Sequence, residues 1–439
     1  MKAIPPRSHA DSCAALEAAM SYVAARGVTK VHTMVTVDCH SGLWPSNLGR
    51  DADKEDVELA FKEVELYREF MMQDKLRTRI RAALPVACWR RVMKEILGEP
   101  EVTLTNGNHG DNGGCNGDNN GYNGDTNGCN GDTNGYTNGC NGESNGELCG
   151  NGVKYRKRRH QMFDNREYLQ VGVLKAQMDG SLGTHTAAFY DDFTDTPGYK
   201  GDFIWDPAIL RDHVVNATTN GLDVCVHAIG DHANTVTLDL FESVAKQLNR
   251  EEGSVNGELD HARDPRFRIE HAQHVRKCDI PRFGALNVIA SMQMSHLADD
   301  GCWASKVLGK ERMKTSWPMR SLLDGGAVVA LGSDWFVAEP SPLQGIYDAV
   351  TRRTTDGVWE KGLVEEEKVT VEEALVGYTS GAAYAAHEED RRGALGVGML
   401  ADLVLLDKHI LEIPVEDIIR TRVKLTVVGG RVMHDDMLK

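Results

Sequence analysis

Four residues of types that bind metal or assist hydrolysis lie at the ends of apolar, strand-like runs. They are Lys175 in VGVLKAQMDG, His227 in LDVCVHAIGD, His271 in RFRIEHAQHV and Asp334 in VVALGSDWFV. In a parallel β/α barrel the carboxyl ends of the strands meet on one face, so residues that are distant in sequence converge there. Two imidazoles, a carboxylate and a lysine in that position can bind a divalent metal and activate water.

Each of these residues also has a purely structural interpretation. A histidine at the end of a buried strand can be a hydrogen-bonded core residue, and Asp334 can be a helix N-cap. Lys175 can pair with Asp179, which lies close to it in sequence. However, His227 and His271 end successive strands with a helix between them, and this arrangement favours metal binding.

The segments that carry these residues alternate between strand-like and helix-like patterns. Strands are predicted at 28–35, 79–86, 171–178, 222–228, 266–271, 286–293 and 328–334. Helices are predicted at 13–25, 56–72, 207–218, 233–248 and 371–386. This alternation is typical of an α/β fold with a mainly parallel sheet, and at 439 residues we expect a (β/α) TIM barrel. The predicted strands number seven, one fewer than in a standard barrel.

The pattern changes after the last predicted barrel helix. Residues 393–407 and 422–435 have the pattern of short β segments joined by Gly and Asp turns, which predicts part of a β-sandwich. We therefore expect an incomplete barrel over 1–386 and a partial C-terminal β-sandwich domain over 387–439.

An Asn/Gly-rich stretch at 103–153 interrupts the predicted barrel. It repeats units such as CNGDTNGY and contains six acidic residues but no Lys or Arg. Asn-Gly favours turns, and so few large apolar residues cannot offset the entropy of ordering, so we expect a disordered insertion. Its acid spacing does not match a calcium-binding EF-hand loop. The basic run at 154–160 is most simply a solvated flank, with a targeting or partner-binding role as the alternative.

The composition is that of a globular enzyme, with 41% apolar and 26% charged residues and a net charge of -16. Nucleic acids and anionic membranes attract basic surfaces, so neither is an expected partner. The sequence has no long apolar run and no signal-peptide pattern. Ten cysteines lack the spacing of a disulfide framework, and we expect reduced thiols in a cytoplasmic protein; four of them lie in the insertion (Cys115, Cys129, Cys140, Cys149).

Several longer motifs carry a resemblance to a known family. They are VLKAQMDGSLGTHTA, CVHAIGDHA, RIEHAQHV, LLDGGAVVALGSDW and YTSGAAYAAHEEDRRGALGVGMLADLVLLD. Together they resemble the amidohydrolase superfamily and are similar to amidohydrolase family 3, the branch that includes N-substituted formamide deformylases. The similarity runs from about Asp11 to the C-terminus and is interrupted by the insertion.

The resemblance implies a metal-dependent barrel that hydrolyses non-peptide C–N bonds of small-molecule amides with one or two divalent ions, most often zinc. It implies that Lys175, carboxylated by CO₂, bridges two metals, and that His227 and His271 are ligands. It implies that Asp334 is both a ligand and the general acid/base that passes a proton to the leaving nitrogen.

The sequence departs from the family pattern at its start. Family members begin with a β-sandwich portion and a first barrel strand that bears a His-x-His pair, and no such pair occurs in the 439 residues. His9, His32 and His40 have the wrong spacing for it, and His185 replaces a common Arg. The favoured interpretation is that the sequence lacks its N-terminal portion. The alternatives are an inactive relative with a binding or regulatory role, or a missing part supplied by another chain.

Overall fold

A sheet of seven parallel strands forms the centre of the protein. The computed structural model describes residues 7–34, 54–96, 98, 146–148, 154–156, 161–162, 168–251 and 265–437. The strands are β1 (Lys30–Met34), β2 (Arg79–Pro85), β3 (Leu169–Gln177), β4 (Asp223–Ala228), β5 (Arg268–His271), β6 (Ile289–Met292) and β7 (Val329–Leu331). Each pairs in parallel with the next along the chain, which confirms the predicted parallel α/β sheet.

The sheet curls strongly, as a barrel requires. His32 of β1 and Arg268 of β5 lie four strands apart, which is about 19 Å in a flat sheet with strands about 4.8 Å apart. Their side chains nevertheless meet, with His32 Nδ1 3.5 Å from Arg268 Nη1. Met34 of β1 reaches Cys225 of β4 in the same way, with 4.0 Å between the sulfur atoms. The fold is therefore barrel-like, with an interior enclosed by the curled sheet.

Helices follow most of the strands, and the longest ones cover the outer face of the sheet. They are α1 (His9–Ala24), α2 (Lys54–Met72), α3 (Pro207–Thr219), α4 (Asp231–Glu251), α5 (Ile280–Ala285), α6 (Met294–Asp300), α7 (Ala304–Met313), α8 (Met319–Asp324), α9 (Pro342–Thr351) and α10 (Val371–Val376), which continues through a π-helical turn (Gly377–Gly381) into Ala382–Tyr384. Single helical turns occur at Val86–Cys88, Trp89–Arg91, Val92–Ile96, Glu365–Glu367 and Val415–Arg420.

Helix α3 illustrates how the sequence forms these elements. The Asp206 carboxylate accepts hydrogen bonds from two free backbone N–H groups of the first turn, and Pro207 at the first position needs no such bond. Leu210, Val214 and Ala217 recur on one face and are fully buried. The helix therefore begins at a capped end and packs with one apolar stripe against the core.

A second sheet of three antiparallel strands lies near the C-terminus. It consists of β8 (Leu403–Leu406), β9 (Val423–Val428) and β10 (Arg431–Asp435). The predicted strand segment at 393–407 is regular only in its last residues. Gly393 and Gly398 take left-handed φ angles of 88° and 94°, which turn the chain repeatedly before β8 begins. This sheet is the predicted partial sandwich.

Most of the predicted disordered insertion at 103–153 lies outside the described residues. Within it and the following basic run, Gly146–Leu148 pairs antiparallel with Lys154–Arg156, and Gln161–Met162 adds to the edge of β3. The five described cysteines are free thiols (Cys13, Cys88, Cys225, Cys278, Cys302). Among the helices described here, none has the length and apolarity to cross a bilayer.

Candidate metal centre

The four predicted site residues all lie toward the carboxyl ends of parallel strands. Lys175 is near the end of β3, and His227 is the penultimate residue of β4. His271 is the last residue of β5, and Asp334 follows β7 by three residues. Because the strands are parallel and the sheet is curled, these ends converge on one side of the barrel, as the sequence predicted.

Two of these residues have a strained backbone. His271 has a φ of 77° and Asp334 a φ of 56°, both in the left-handed region that side chains other than glycine rarely adopt. Such strain persists where surrounding structure imposes it, and it often occurs at functional sites. Asp334 is not a helix cap, since the next described helix, α9, begins at Pro342 with Ser341 as its cap. The N-cap interpretation of this aspartate is therefore wrong.

The structure brings together a cluster of two histidines and one aspartate. The side-chain ligand atoms of His271, His296 and Asp334 all lie within 4.8 Å of one another. His296 Nε2 is 3.9 Å from the nearer oxygen of Asp334, and the rings of His271 and His296 are roughly parallel with centroids 5.8 Å apart. His296 was not predicted from the sequence. It belongs to the first turn of α6, four residues after β6 ends.

His227 stands beside this cluster. Its ring lies edge-on to that of His271, with centroids 4.4 Å apart. Its Nε2 is 3.1 Å from the carbonyl oxygen of Gly180, and since a carbonyl only accepts, Nε2 donates this hydrogen bond. Nδ1 is then left as an acceptor. A backbone carbonyl that fixes the tautomer in this way is typical of histidines that bind metal.

The loops behind His227 are fixed by a buried aspartate. Asp179, which is fully buried, accepts backbone hydrogen bonds from Ala188, Ile229 and Gly230 at 2.8–3.0 Å. Asp179 therefore accepts mainly from the backbone and also lies 3.5 Å from His227 Nε2, and Lys175 forms no ion pair with it among the described residues. This excludes the sequence-based alternative in which the two residues pair.

Lys175 and the buried pair next to it set the charge of the site. Lys175 is half-buried and lines the same cleft as His271 and Asp334. Glu270 lies beside His271 and accepts a hydrogen bond from Arg268 Nε at 2.5 Å. Burial would raise the pKa of Glu270, but the charges of Arg268 and Lys175 outweigh it and hold this pKa below its usual value.

The imidazoles of the site are neutral at pH 7. Burial lowers the pKa of His296 to about 4, and burial together with the charge of Lys175 lowers that of His227 to about 3. Burial also holds the pKa of His271 well below its usual value. Burial raises the pKa of Asp334 to about 6, despite the opposing charge of Lys175. Metal ligation needs neutral imidazoles, and proton transfer near neutral pH is favoured by a carboxyl group with such a pKa.

Two nitrogens of the cluster have no hydrogen-bond partner. His271 Nδ1 and His296 Nε2 are both buried, and neither finds a donor or acceptor among the described residues. A buried polar atom left unpaired costs about 1–3 kcal/mol, so it calls for an explanation. A cation between these nitrogens and the Asp334 carboxylate would satisfy both of them, and this donor set of nitrogen and oxygen suits a divalent metal such as zinc.

A large cleft borders the cluster. It has a volume of about 2950 Å³ and lies between β1 and β7, the two edge strands of the described parallel sheet. A standard barrel has an eighth strand at this position, so the cleft includes the gap between the two sheet edges. Its lining includes Lys175, Glu270, His271, Gln293 and Asp334, and Asp334 is 39% exposed.

Comparison with known proteins gives the family. The family model described as "Amidohydrolase family" matches residues 137–434, which is more than half of the chain. Protein LONG AFTER FAR-RED 3 of Arabidopsis thaliana is 41% identical over 269 residues, which cover 61% of this chain and 44% of that protein. Putative amidohydrolase YtcJ of Bacillus subtilis (strain 168) is 30% identical over 268 residues, which cover 61% and 48%. N-substituted formamide deformylase of Arthrobacter pascens is 28% identical over 239 residues, which cover 54% and 41%.

Two solved structures support the fold. An uncharacterized metal-dependent hydrolase from Pyrococcus horikoshii OT3 superposes with a TM-score of 0.61 at 21% identity, covering 93% of this chain and 62% of that one. A second, from Pyrococcus furiosus, superposes with a TM-score of 0.58 at 22% identity, covering 89% of this chain and 58% of that one.

This chain spans less than half the length of the curated relatives that it matches. With the barrel, the C-terminal sheet and the motifs taken together, the chain belongs to the amidohydrolase family, in its branch 3.

Proposed function

We propose that this chain carries the metal-binding and proton-transferring residues of a hydrolase that acts on carbon–nitrogen bonds of small, non-peptide amides. One observation carries the proposal. Two buried, neutral imidazoles with unpaired nitrogens meet a carboxylate at the carboxyl ends of parallel strands, beside a large cleft. Membership of the amidohydrolase family supports the same chemistry.

The residues that would hold the metal are His271, His296 and Asp334, with His227 adjacent through its free Nδ1. Zinc is the best match to imidazole and carboxylate donors, in one ion or two. When bound, such an ion polarises an amide carbonyl and makes water a better nucleophile. If the Lys175 amine adds CO₂ and loses a proton, it becomes a carbamate that supplies oxygen ligands, as the family resemblance implies.

Asp334 has the acid–base role. Its carboxyl group lies beside the two histidines and lines the cleft, where it can accept a proton from water and return it. We assign it to take the proton from the attacking water and to deliver it to the nitrogen of the leaving amine. The Arg268–Glu270 pair beneath the site stays charged and holds its strand end in place.

The first substrates to test are N-substituted formamides. A relative with 28% identity bears the name N-substituted formamide deformylase, and a formyl group is the smallest acyl group that the cleft would have to admit. No nucleic acid or membrane surface is proposed as a partner, since the net charge is -16.

The test compares the zinc-loaded full chain with its Asp334→Asn variant on a panel of N-substituted formamides. At saturating zinc we expect the variant to retain the metal, because the histidines and the Asn amide oxygen remain as ligands, and to lose turnover by about 10²–10⁴-fold, the usual contribution of a general acid or base. The matched control is Asp324→Asn, which changes an aspartate that is 65% exposed and distant from the cluster. Turnover by Asp334→Asn at the parent rate would contradict the assigned role.

The second candidate function is that this chain is a catalytically inactive member of the family with a binding or regulatory role. The observation that favours it is the lack of any His-x-His pair in the sequence, which leaves fewer ligands for a second ion. The same experiment separates the two functions. Zinc bound at the cluster with no turnover on any amide of the panel would support the binding role over hydrolysis.

A further inference from the structure

We infer that the chain has a second, separate metal site on its surface, formed by His9, Cys13 and Glu69. The ligand atoms of these three side chains lie within 4.8 Å of one another. Two of them come from α1 and one from α2, so the site would join two helices. No residue of this trio takes part in the barrel cluster, and the inference does not depend on the proposed hydrolase function.

The two ligands on α1 are placed by helix geometry. His9 and Cys13 are four residues apart and therefore lie on the same face of the helix. The first turn is fixed by a capping box, in which Ser8 Oγ accepts from the Asp11 backbone and the Asp11 carboxylate accepts from Ser8. His9, directly after the cap, thus starts from a defined backbone position.

The third ligand is held in place from the other side. Glu69 lies in the last turn of α2, and its Oε1 accepts a hydrogen bond from Gln73 Nε2 at 3.0 Å. Its second oxygen, Oε2, is then directed at His9 Nε2, at 3.0 Å. One carboxylate oxygen is therefore positioned by its own helix, and the other remains available as a ligand.

Two of the three ligand separations are close to the edges of a zinc coordination tetrahedron. Zn–N, Zn–O and Zn–S bonds of about 2.0–2.3 Å place neighbouring N and S ligands about 3.6 Å apart and neighbouring N and O ligands about 3.4 Å apart. The observed separations are 3.5 Å for His9 Nε2 to Cys13 Sγ and 3.0 Å for His9 Nε2 to Glu69 Oε2. A small rotation of His9, which is 69% exposed, supplies the remaining difference.

A simple surface ion pair explains the arrangement less well. One nitrogen, His9 Nε2, faces both a carboxylate oxygen and a thiol sulfur. A single N–H donates well to only one of them, whereas a cation between the three atoms contacts all three. Imidazole, thiolate and carboxylate together suit zinc or cobalt(II), with water in the fourth position.

The experiment is a cobalt(II) titration of the reduced full chain, followed by the thiolate-to-cobalt absorption. The background carries Ser at the five cysteines outside the described residues (Cys39, Cys115, Cys129, Cys140, Cys149), so that none of them contributes to the signal. We expect absorption that saturates once one equivalent of cobalt has bound in addition to the cobalt that the barrel cluster holds. The barrel cluster contains only histidine and aspartate and therefore adds no thiolate absorption. The substitution of Cys13 separates its signal from those of the four other described cysteines.

Substitutions then assign the ligands. Cys13→Ser should abolish the absorption and lower the zinc content by one equivalent, while His9→Gln and Glu69→Gln should weaken binding by at least about 10-fold. The matched controls Cys278→Ser, an exposed free thiol, and His409→Gln, from an exposed His–Glu pair, should change neither quantity. An unfolding temperature equal to that of the metal-free parent establishes that Cys13→Ser is folded. Persistence of the absorption in Cys13→Ser, or no thiolate absorption from the parent at any cobalt concentration, would overturn the inference.

Discussion

At the scale of single residues, the proposed metal centre depends on two nitrogens that have no protein partner. His271 Nδ1 is placed by the end of β5, and His296 Nε2 is placed by the first turn of α6. They approach the carboxylate of Asp334 from different elements of the barrel. This separation matters because each ligand can be removed without disturbing the backbone that carries the others.

We expect His296→Ala to weaken zinc binding by at least about 100-fold, because it removes a direct ligand and outer-shell substitutions alone cost about 10–100-fold. Isothermal titration of zinc into metal-free protein measures the affinity, with Cys13→Ser present in every variant to silence the surface site. His232→Ala is the control, since His232 is half-buried among aromatic rings and lies outside the cluster. Equal affinity in His296→Ala and the control would remove His296 from the site.

The sequence predicted three residues that line this site, Lys175, His271 and Asp334, because each follows an apolar run. His296 lies in an amphipathic helical segment, four residues beyond its strand, where a histidine has no sequence signature of a ligand. The strand order places β6 between β5 and β7, so α6, which follows β6, lies beside the ends of both strands and brings His296 into the site.

At the scale of elements, the turn after β4 is the tightest part of the site. A Cβ on Gly230 would lie 2.0 Å from the backbone oxygen of Ala188, far inside contact distance. The same turn donates the Gly230 N–H to Asp179 at 2.8 Å. The strand ends that carry the ligands are therefore held by close backbone packing as well as by hydrogen bonds.

We expect Gly230→Ala to lower the free energy of unfolding by about 3 kcal/mol, since the backbone must move apart and the bond to Asp179 is weakened. Gly332→Ala is the matched control at the end of β7, where an added Cβ has no neighbour within 4 Å. It should change stability by less than about 1 kcal/mol. Denaturant unfolding measures the unfolding free energy of both variants. Equal values would show that the turn accommodates the added methyl group without loss of stability.

The contact between α6 and α9 predicts a dependence of stability on pH. Asp348 is 2% exposed and accepts hydrogen bonds from Ser295 at 2.9 Å and from Gln344 at 2.8 Å. Burial raises its pKa from 3.8 to about 6 in the folded protein. The folded state therefore favours the protonated form, and the resulting stabilisation is present below the unfolded pKa and is lost as pH rises through about 6.

We expect the unfolding free energy of the parent to fall by about 3 kcal/mol relative to Asp348→Asn between about pH 4 and pH 7, because a shift of about two pKa units corresponds to that energy. Urea unfolding at several pH values measures this difference. The exposed Asp324→Asn variant should follow the parent at every pH. A constant difference between the parent and Asp348→Asn would contradict the pKa of this group.

At the scale of the whole molecule, a buried ion pair joins the barrel to the C-terminal sheet. Arg79 of β2, which is 1% exposed, donates to both oxygens of Asp402 at 2.7 and 2.9 Å. Asp402 also accepts from the Gly429 backbone at 2.7 Å, and the hydroxyl of Tyr168 donates to the carbonyl of Val428 at 2.9 Å. These bonds fix the β8–β10 sheet to the starts of β2 and β3.

We expect Arg79→Ala to lower the free energy of unfolding by about 3–5 kcal/mol, because it leaves Asp402 buried without its partner. Arg431→Ala is the control, since its pair with Asp74 also reaches from the C-terminal sheet toward β2 but is exposed on both sides. It should cost at most about 1 kcal/mol. Denaturant unfolding compares the two, and similar losses would show that the buried pair has no special role.

The architecture was predictable from the sequence because strand and helix periods alternate clearly, and the observed strands coincide with the predicted runs to within a few residues. The sequence predicted a β segment over 393–407, but residues 393–402 form turns and only Leu403–Leu406 form a strand. The apolar residues Leu395 and Val397 are exposed in a glycine-rich turn region, where left-handed glycines override the strand pattern. The sequence did not predict the contact between His32 and Arg268 across the barrel, because this contact depends on the curl of the whole sheet.

The measurement that tests the central claim most directly is anomalous diffraction at the zinc edge from crystals of the chain grown with zinc. We predict an anomalous difference peak enclosed by His271 Nδ1, His296 Nε2 and the carboxylate of Asp334. Zinc bound only elsewhere, with these two nitrogens still without a partner, would contradict it.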